Sequence, residues 1–213
     1  QLIRYVLPKF TFSLCVYFIN YSKIKISASD PILWMNAAEV AFLRAEGKAI
    51  FKFDMGGEAR DFYNQGIRLS FEQWSAGNPE EYLNDESKIP TTYTDPSGLN
   101  PYNSQLSTIT IKWDESSTDE VKQERIITQK WIANYPLGLE AWAEYRRTGY
   151  PELYPCIDNL SPSGVDSKRG MRRLRFPYTE VQNNHSNYQQ GVSYLKNGGP
   201  DNEATDLSWG KTN

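Results

Sequence analysis

The sequence predicts a mainly α-helical fold: helical hairpins, a long loop excursion and an irregular tail. Three observations predict it. Residues 30–78 and 118–148 each hold two stretches of apolar residues at helical spacing, joined by a break. Between them, 79–117 carries Pro90, Pro96, Gly98 and Pro101 and no helical period. After Pro151 the regular signals fade, and 149–213 reads as an irregular tail. At 213 residues the whole chain, 1–213, suits one domain.

In order, the first twenty-nine residues stand apart. Val6 to Ile19 is apolar and aromatic but too short to cross a bilayer as a helix, and Pro8 and Lys9 interrupt it. Leu14 precedes Cys15, where a lipid-attachment signal needs a small residue, so the run is expected to be an irregular or β-rich segment packed on the body. Asp30-Pro31 predicts a helix start, a capping carboxylate followed by proline. From Trp34 the pattern Ala37, Ala38, Ala41, Phe42, Ala45, Ala49 makes a small-residue face that ends at Gly56-Gly57. The next arm gives Ala59, Phe62, Tyr63, Gly66, Ile67, Phe71 and Trp74, and Gly77-Asn78-Pro79 stops it. Small residues on one arm accepting large ones on the other is the logic of tetratricopeptide-type repeats, here in degenerate form.

Within 79–117, Thr108 to Trp113 alternates and predicts a short strand. A connection of this length in a compact domain is usually functional or disordered. Tyr93, Tyr102 and Trp113, three aromatics on it, are the candidate ligand-stacking residues. Ser117 with Glu120 predicts a capping box for the third helix. Ile127, Trp131 and Tyr135, then Leu139, Trp142 and Tyr145, predict an antiparallel hairpin hinged at Tyr135-Pro136-Leu137-Gly138, with its tryptophans buried between the arms. Trp74 is expected in the core as well.

Composition excludes some functions. A net charge of −3 and a pI near 5.4 argue against a nucleic-acid partner. Cys15 and Cys156 lack Cys or His neighbours at metal-ligand spacing, so no metal site is expected, and whether they pair stays open. No phosphate-binding loop, dinucleotide fingerprint or G-x-S-x-G motif occurs, and His185 is the lone histidine, so neither a cofactor nor a catalytic residue is expected. Glu140 and Glu144 lie four apart on one helix, the signature of a solvated face rather than of two carboxylates opposed across a bond. Arg146-Arg147 and Arg172-Arg173 are expected to pair with acids of adjacent segments. The many Asn, Tyr, Trp and Ser residues in loops suit a polar, uncharged ligand such as a sugar.

Four segments carry a resemblance: AAEVAFLRAEG (37–47), ITQKWIANYPLGLEAWAEYRRTGYPELYP (127–155), RRLRFPYTEVQNN (172–184) and GGPDNEATDLSWGK (198–211). They resemble the C-terminal part of SusD/RagB-family proteins, the starch-binding outer-membrane lipoproteins, from about Tyr21 to the end. The resemblance implies a SusD-like mainly α fold, a non-enzymatic binding role in polysaccharide utilisation, and an outer-membrane, cell-surface location with the lipid anchor on the N-terminal part. It implies an oligosaccharide ligand (a peptide in some members) and a SusC-like TonB-dependent porin as partner. The alternative is an interaction scaffold that docks on the transporter without touching glycan. Family tails often end in Trp-Trp-Asp, where this chain has Ser208-Trp209-Gly210. No family sugar-contacting motif carries over, so Tyr93, Tyr102 and Trp113 rest on composition and loop position.

Overall fold

The computed structural model describes residues 27–94 and 103–211. The chain divides into two compact units, 1–32 with 92–104, and 33–91 with 105–213. In the smaller unit the described residues include a turn in which the Asp30 carboxylate accepts the Ser27 amide at 2.7 Å. That carboxylate is committed locally, so no helix starts there. The apolar run 6–19, Cys15 and Tyr102 lie outside the described residues.

The larger unit is helical, and no strand occurs among its described residues. Helix α1 spans Ala37–Ala49. Its cap is Asn36, whose side chain accepts the Glu39 amide at 2.6 Å, with Glu39 in the first turn and Lys48 in the last matching the helix dipole. It is capped at Ile50, six residues before Gly56, and not at the glycine pair. Helix α2 spans Ala59–Trp74 and ends in a left-handed Ser75. The two pack as the sequence expects: Ala38, Ala45 and Ala49 are buried in one cluster with Phe62, Tyr63 and Ile67. Gly66 permits the closest approach, since a Cβ there would stand 2.7 Å from the Phe42 ring. Phe42 in turn meets Tyr63 edge-on, with centroids 6.0 Å apart.

The described part of the excursion, 79–94 and 103–117, is tied to the helical body. A single helical turn, α3 (Glu80–Leu83), buries Leu83. The alternation at 108–113 is real but makes no strand. Ile109, Ile111 and Trp113 all point into the core, two residues apart. The backbone between them is satisfied by side chains and a loop: Tyr63 Oη donates to the Ile111 carbonyl (2.6 Å), Arg125 Nε to the Thr110 carbonyl (3.0 Å), and the Lys112 amide to Asp85 (3.1 Å). With those partners in place no neighbouring strand is needed.

Helix α4 is Asp119–Ala133 and α5 is Gly138–Thr148. Thr118 caps α4 by accepting the Val121 amide, one residue later than the expected Ser117, whose hydroxyl is spent on Asp114 (2.7 Å). The hinge lies where the sequence places it, but the tryptophans do not. Trp131 is 41 % exposed, Trp142 is half-buried and Trp74 is exposed. The inward face of α4 is Ile126, Ile127, Lys130 and Ala133 (i, i+1, i+4, i+7), which rotates Trp131 outward.

Between α1, α4 and α5 lies a buried charge cluster. Lys130, 1 % exposed, sits 3.4 Å from Glu39, 3.4 Å from Glu144 and 3.9 Å from Glu140. Arg147 bridges Glu46 (2.7 Å) and Glu144 (2.8 Å). Glu144 is therefore buried, at 8 % exposure, and is not part of a solvated face. Burial pushes its carboxyl upward, but the Arg147 hydrogen bond and the Lys130 charge outweigh this and hold it below the ordinary range. Glu140 goes the other way, raised by partial burial and by Glu39 beside it.

The tail is not wholly irregular: it holds α6 (Tyr178–Asn183), α7 (His185–Ser193) and a 3-10 turn at Lys196–Gly198. The basic run is pinned to the closing acids. Arg169 and Arg172 share Asp206 (2.8 and 2.7 Å), Arg173 pairs with Asp201, and Arg175 with Glu203 (2.7 Å). The clasp is tied to α5 through its C-terminal carbonyls, with the Arg146 carbonyl accepting from Arg172 Nη2 (2.8 Å) and from the Lys211 amide (2.9 Å). Arg146 itself lies over Trp142 (3.6 Å) and Trp209 (4.9 Å), so Trp209 has a definite packing role in this tail ending.

Candidate binding groove

A groove of about 440 Å³ lies within the larger unit. One wall is 88–91 and 107–111 of the excursion, the other is the outward face of α4, and Pro151 to Leu153 close one end. Its surface is mostly apolar, from Ile89, Pro90, Ile109, Ile132 and Leu153, with Trp131 among them. Polar groups are interspersed: Thr110, Thr128, Gln129 and Arg125. Apolar walls with a few placed polar groups are the usual make-up of a small-molecule site.

Local sequence explains each wall. On α4, Arg125, Thr128, Gln129 and Ile132 follow i, i+3, i+4, i+7, so one strip faces the groove. Gln129 Oε1 accepts the Tyr82 hydroxyl at 3.0 Å, which ties the α3 turn to α4 and leaves the amide N–H₂ of Gln129 for other partners. The excursion wall is held by Gln105, whose amide donates to the Pro90 (2.6 Å) and Ser107 (2.5 Å) carbonyls, and by the Ser107 hydroxyl bonded to Glu124. Lys88 is ion-paired with Asp85 at 3.0 Å. Backbone and side-chain hydrogen bonds from Lys88, then from Ser87, hold Asp85 well below the usual carboxylate range. Glu152 lies 3.8 Å from Lys168.

The sequence-predicted stacking residues fall in three places. Trp113 is 7 % exposed, tilted against Tyr63 with centroids 5.3 Å apart, and its Nε1 donates to Glu115 at 2.5 Å. An indole so placed has no face to offer a ligand. Tyr93 is exposed and belongs to the smaller unit; Tyr102 lies outside the described residues. The aromatics on the groove are Tyr82, whose hydroxyl is given to Gln129, and Trp131, which helical spacing assigns to the core. The missed signal was Lys130 beside it: a lysine at the buried position of α4 displaces the tryptophan outward.

Other candidates resolve structurally. Among the described residues no cluster of His, Cys, Asp and Glu is placed to hold a metal, and no helix is long and apolar enough to cross a membrane. His185 is exposed on α7, with Nδ1 3.3 Å from the Val181 carbonyl. Cys156 is exposed. Arg147, Arg172 and Arg173 are paired with acids, as the sequence expects, whereas Arg146 is not: it donates to the Trp142 and Arg172 carbonyls and lies over two tryptophans.

Comparison with known proteins places the chain. Residues 15–210 match the family model described as SusD and RagB outer membrane lipoprotein. Among solved structures, a SusD homologue of Bacteroides uniformis is 61% identical, with a TM-score of 0.88, over 92% of this chain and 40% of that one. A SusD homologue of Bacteroides thetaiotaomicron is 45% identical (TM-score 0.80, 89% and 40% covered). A chitin-binding SusD homologue of Flavobacterium johnsoniae is 43% identical (TM-score 0.79, 84% and 36% covered). No curated protein matches. The chain thus spans about 40% of the length of the solved relatives it resembles. It belongs to the SusD/RagB family of outer-membrane lipoproteins.

Proposed function

We propose that the chain is part of a cell-surface nutrient-binding protein that captures an oligosaccharide in the groove and delivers it to a SusC-like TonB-dependent outer-membrane transporter. The observation that carries this reading is the half-exposed Trp131 on a groove of about 440 Å³ that combines apolar walls with amide and hydroxyl groups. A pyranose presents an apolar C–H face and a rim of hydroxyls. Trp131 suits the face, while Gln129, Thr128 and Thr110 suit the rim. The chitin-binding relative from Flavobacterium johnsoniae supports a saccharide over a peptide. The role is binding without catalysis, and it calls for no cofactor. Tyr93 and Tyr102 are proposed as ligand-stacking residues on composition alone, separately from the groove. Isothermal titration against a glycan panel tests the reading. At least one oligosaccharide is expected to bind, with Trp131→Ala weakening it up to about tenfold, the size of an aromatic contact of about 0.5–1.5 kcal/mol. Equal affinities for wild type and Trp131→Ala would take the groove out of the reading.

A further inference from the structure

Arg125 is 5 % exposed, lines the groove, and is ion-paired with no carboxylate among the described residues. A buried cation ordinarily has an anionic partner, because desolvating it alone is costly. The other charged groups lining the groove have theirs, Lys88 on Asp85 and Glu152 on Lys168. The acid facing Arg125 is Asp114, which is one serine removed: Arg125 Nη1 reaches Ser117 Oγ at 3.5 Å, and Ser117 Oγ donates to Asp114 at 2.7 Å. Asp114 is further spent on the amide and hydroxyl of Ser116 (2.9 and 2.6 Å).

Part of this guanidinium has a structural job. Nε donates to the Thr110 carbonyl at 3.0 Å and Nη2 to the Thr110 hydroxyl at 3.3 Å, anchoring the excursion on α4. With Nη1 on Ser117, that occupies three of its five N–H groups and leaves one on each Nη. Two spare N–H groups on adjacent nitrogens of a planar fork match two oxygens of a carboxylate or sulfate.

We infer that the groove selects an acidic glycan, with Arg125 receiving a carboxylate or sulfate ester of the bound sugar. The inference rests on the groove being the glycan site. Its test uses one parent oligosaccharide, a β-1,4-glucan oligomer, in three forms: neutral, oxidised at C6 to the uronate, and O-sulfated. Each is titrated into wild type, Arg125→Gln, Thr128→Glu and Trp131→Ala. Wild type is expected to bind at least one anionic form on the order of tenfold more tightly than the neutral parent, and the preferred arm tells carboxylate from sulfate. Arg125→Gln should bring the forms to equal affinity. Thr128→Glu leaves the Thr110 anchor intact and places a carboxylate one helical turn from Arg125, so it should abolish the preference even if Arg125→Gln fails to fold. Equal binding of all forms by wild type, or a preference that survives both substitutions, overturns the inference. In that case a loss of affinity for every form in Trp131→Ala leaves the groove reading standing. Failure of every form to bind, or binding indifferent to Trp131→Ala, sinks both.

Discussion

The two helical hairpins are held by opposite means. Between α1 and α2, small residues meet large ones and Phe42 lies on Gly66. Between α4, α5 and α1, the centre is a lysine ringed by three glutamates, with Arg147 beside it. Shape complementarity carries the first pair, and charge complementarity around a buried lysine carries the second. The first tolerates no added volume and the second no lost charge. Putting Lys130 inside also turns Trp131 out, so the means of holding the second hairpin furnishes the aromatic surface of the groove.

That contrast can be broken in four ways, from the largest effect down. Lys130→Ala strands three carboxylates around an empty site and should cost about 3–5 kcal/mol in urea unfolding. Gly66→Ala drives a methyl against the Phe42 ring and should cost about 1–3 kcal/mol by the same measurement, with the charge cluster untouched. If Lys130→Ala proved milder than Gly66→Ala, the difference drawn between the hairpins would fail.

The third test is acid. Glu144 and Asp206 are both pushed up by burial, but Arg147 with Lys130, and Arg172 with Arg169, outweigh that and hold them below their ordinary values. Glu203 is brought to about 2, chiefly by Arg175 and Ser163. A carboxylate with a lowered folded pKa contributes stability above its unfolded value and loses it as pH falls through the folded one. Thermal melting temperature should therefore be steady at neutral pH and fall from about pH 4.5 toward 2. Glu140, raised by partial burial and Glu39, opposes this: its contribution is present below its unfolded value and lost as pH rises through the folded one. Glu140→Gln should flatten the melt near pH 5 and leave the acid limb in place.

Trp131→Ala should give the smallest change in stability, within about 1 kcal/mol by urea unfolding, because the ring is on the surface. A core-sized loss would return Trp131 to the interior role that helical spacing gives it.

How much of this was legible in the sequence depended on which chemistry held each part. The α1–α2 hairpin was legible because its alanines, Gly66 and aromatics repeat at helical spacing. The hinge at 135–138 and the pairing of Arg147, Arg172 and Arg173 with acids were legible too, though not the stacking of Arg146 on Trp142. The inward face of the second hairpin was not. Glu144 read, with Glu140, as a solvated side, and Trp131 and Trp142 read as the buried one. Periodicity ranks residues by hydropathy and cannot see that buried charges satisfy one another. The segment 108–113 shows a related gap: its alternation correctly puts Ile109, Ile111 and Trp113 on one side, but Tyr63, Arg125 and Asp85 take the hydrogen bonds a second strand would have made. That is also why Trp113, an apparent loop aromatic, is core.

The most direct measurement is the crystal structure of the protein with an oligosaccharide selected by titration. The expected result is a pyranose ring on the face of Trp131, with its hydroxyls on Gln129 and Thr128 and any acidic group on Arg125. Saccharide bound elsewhere on the protein, with the wall between 107–111 and α4 empty, would contradict it.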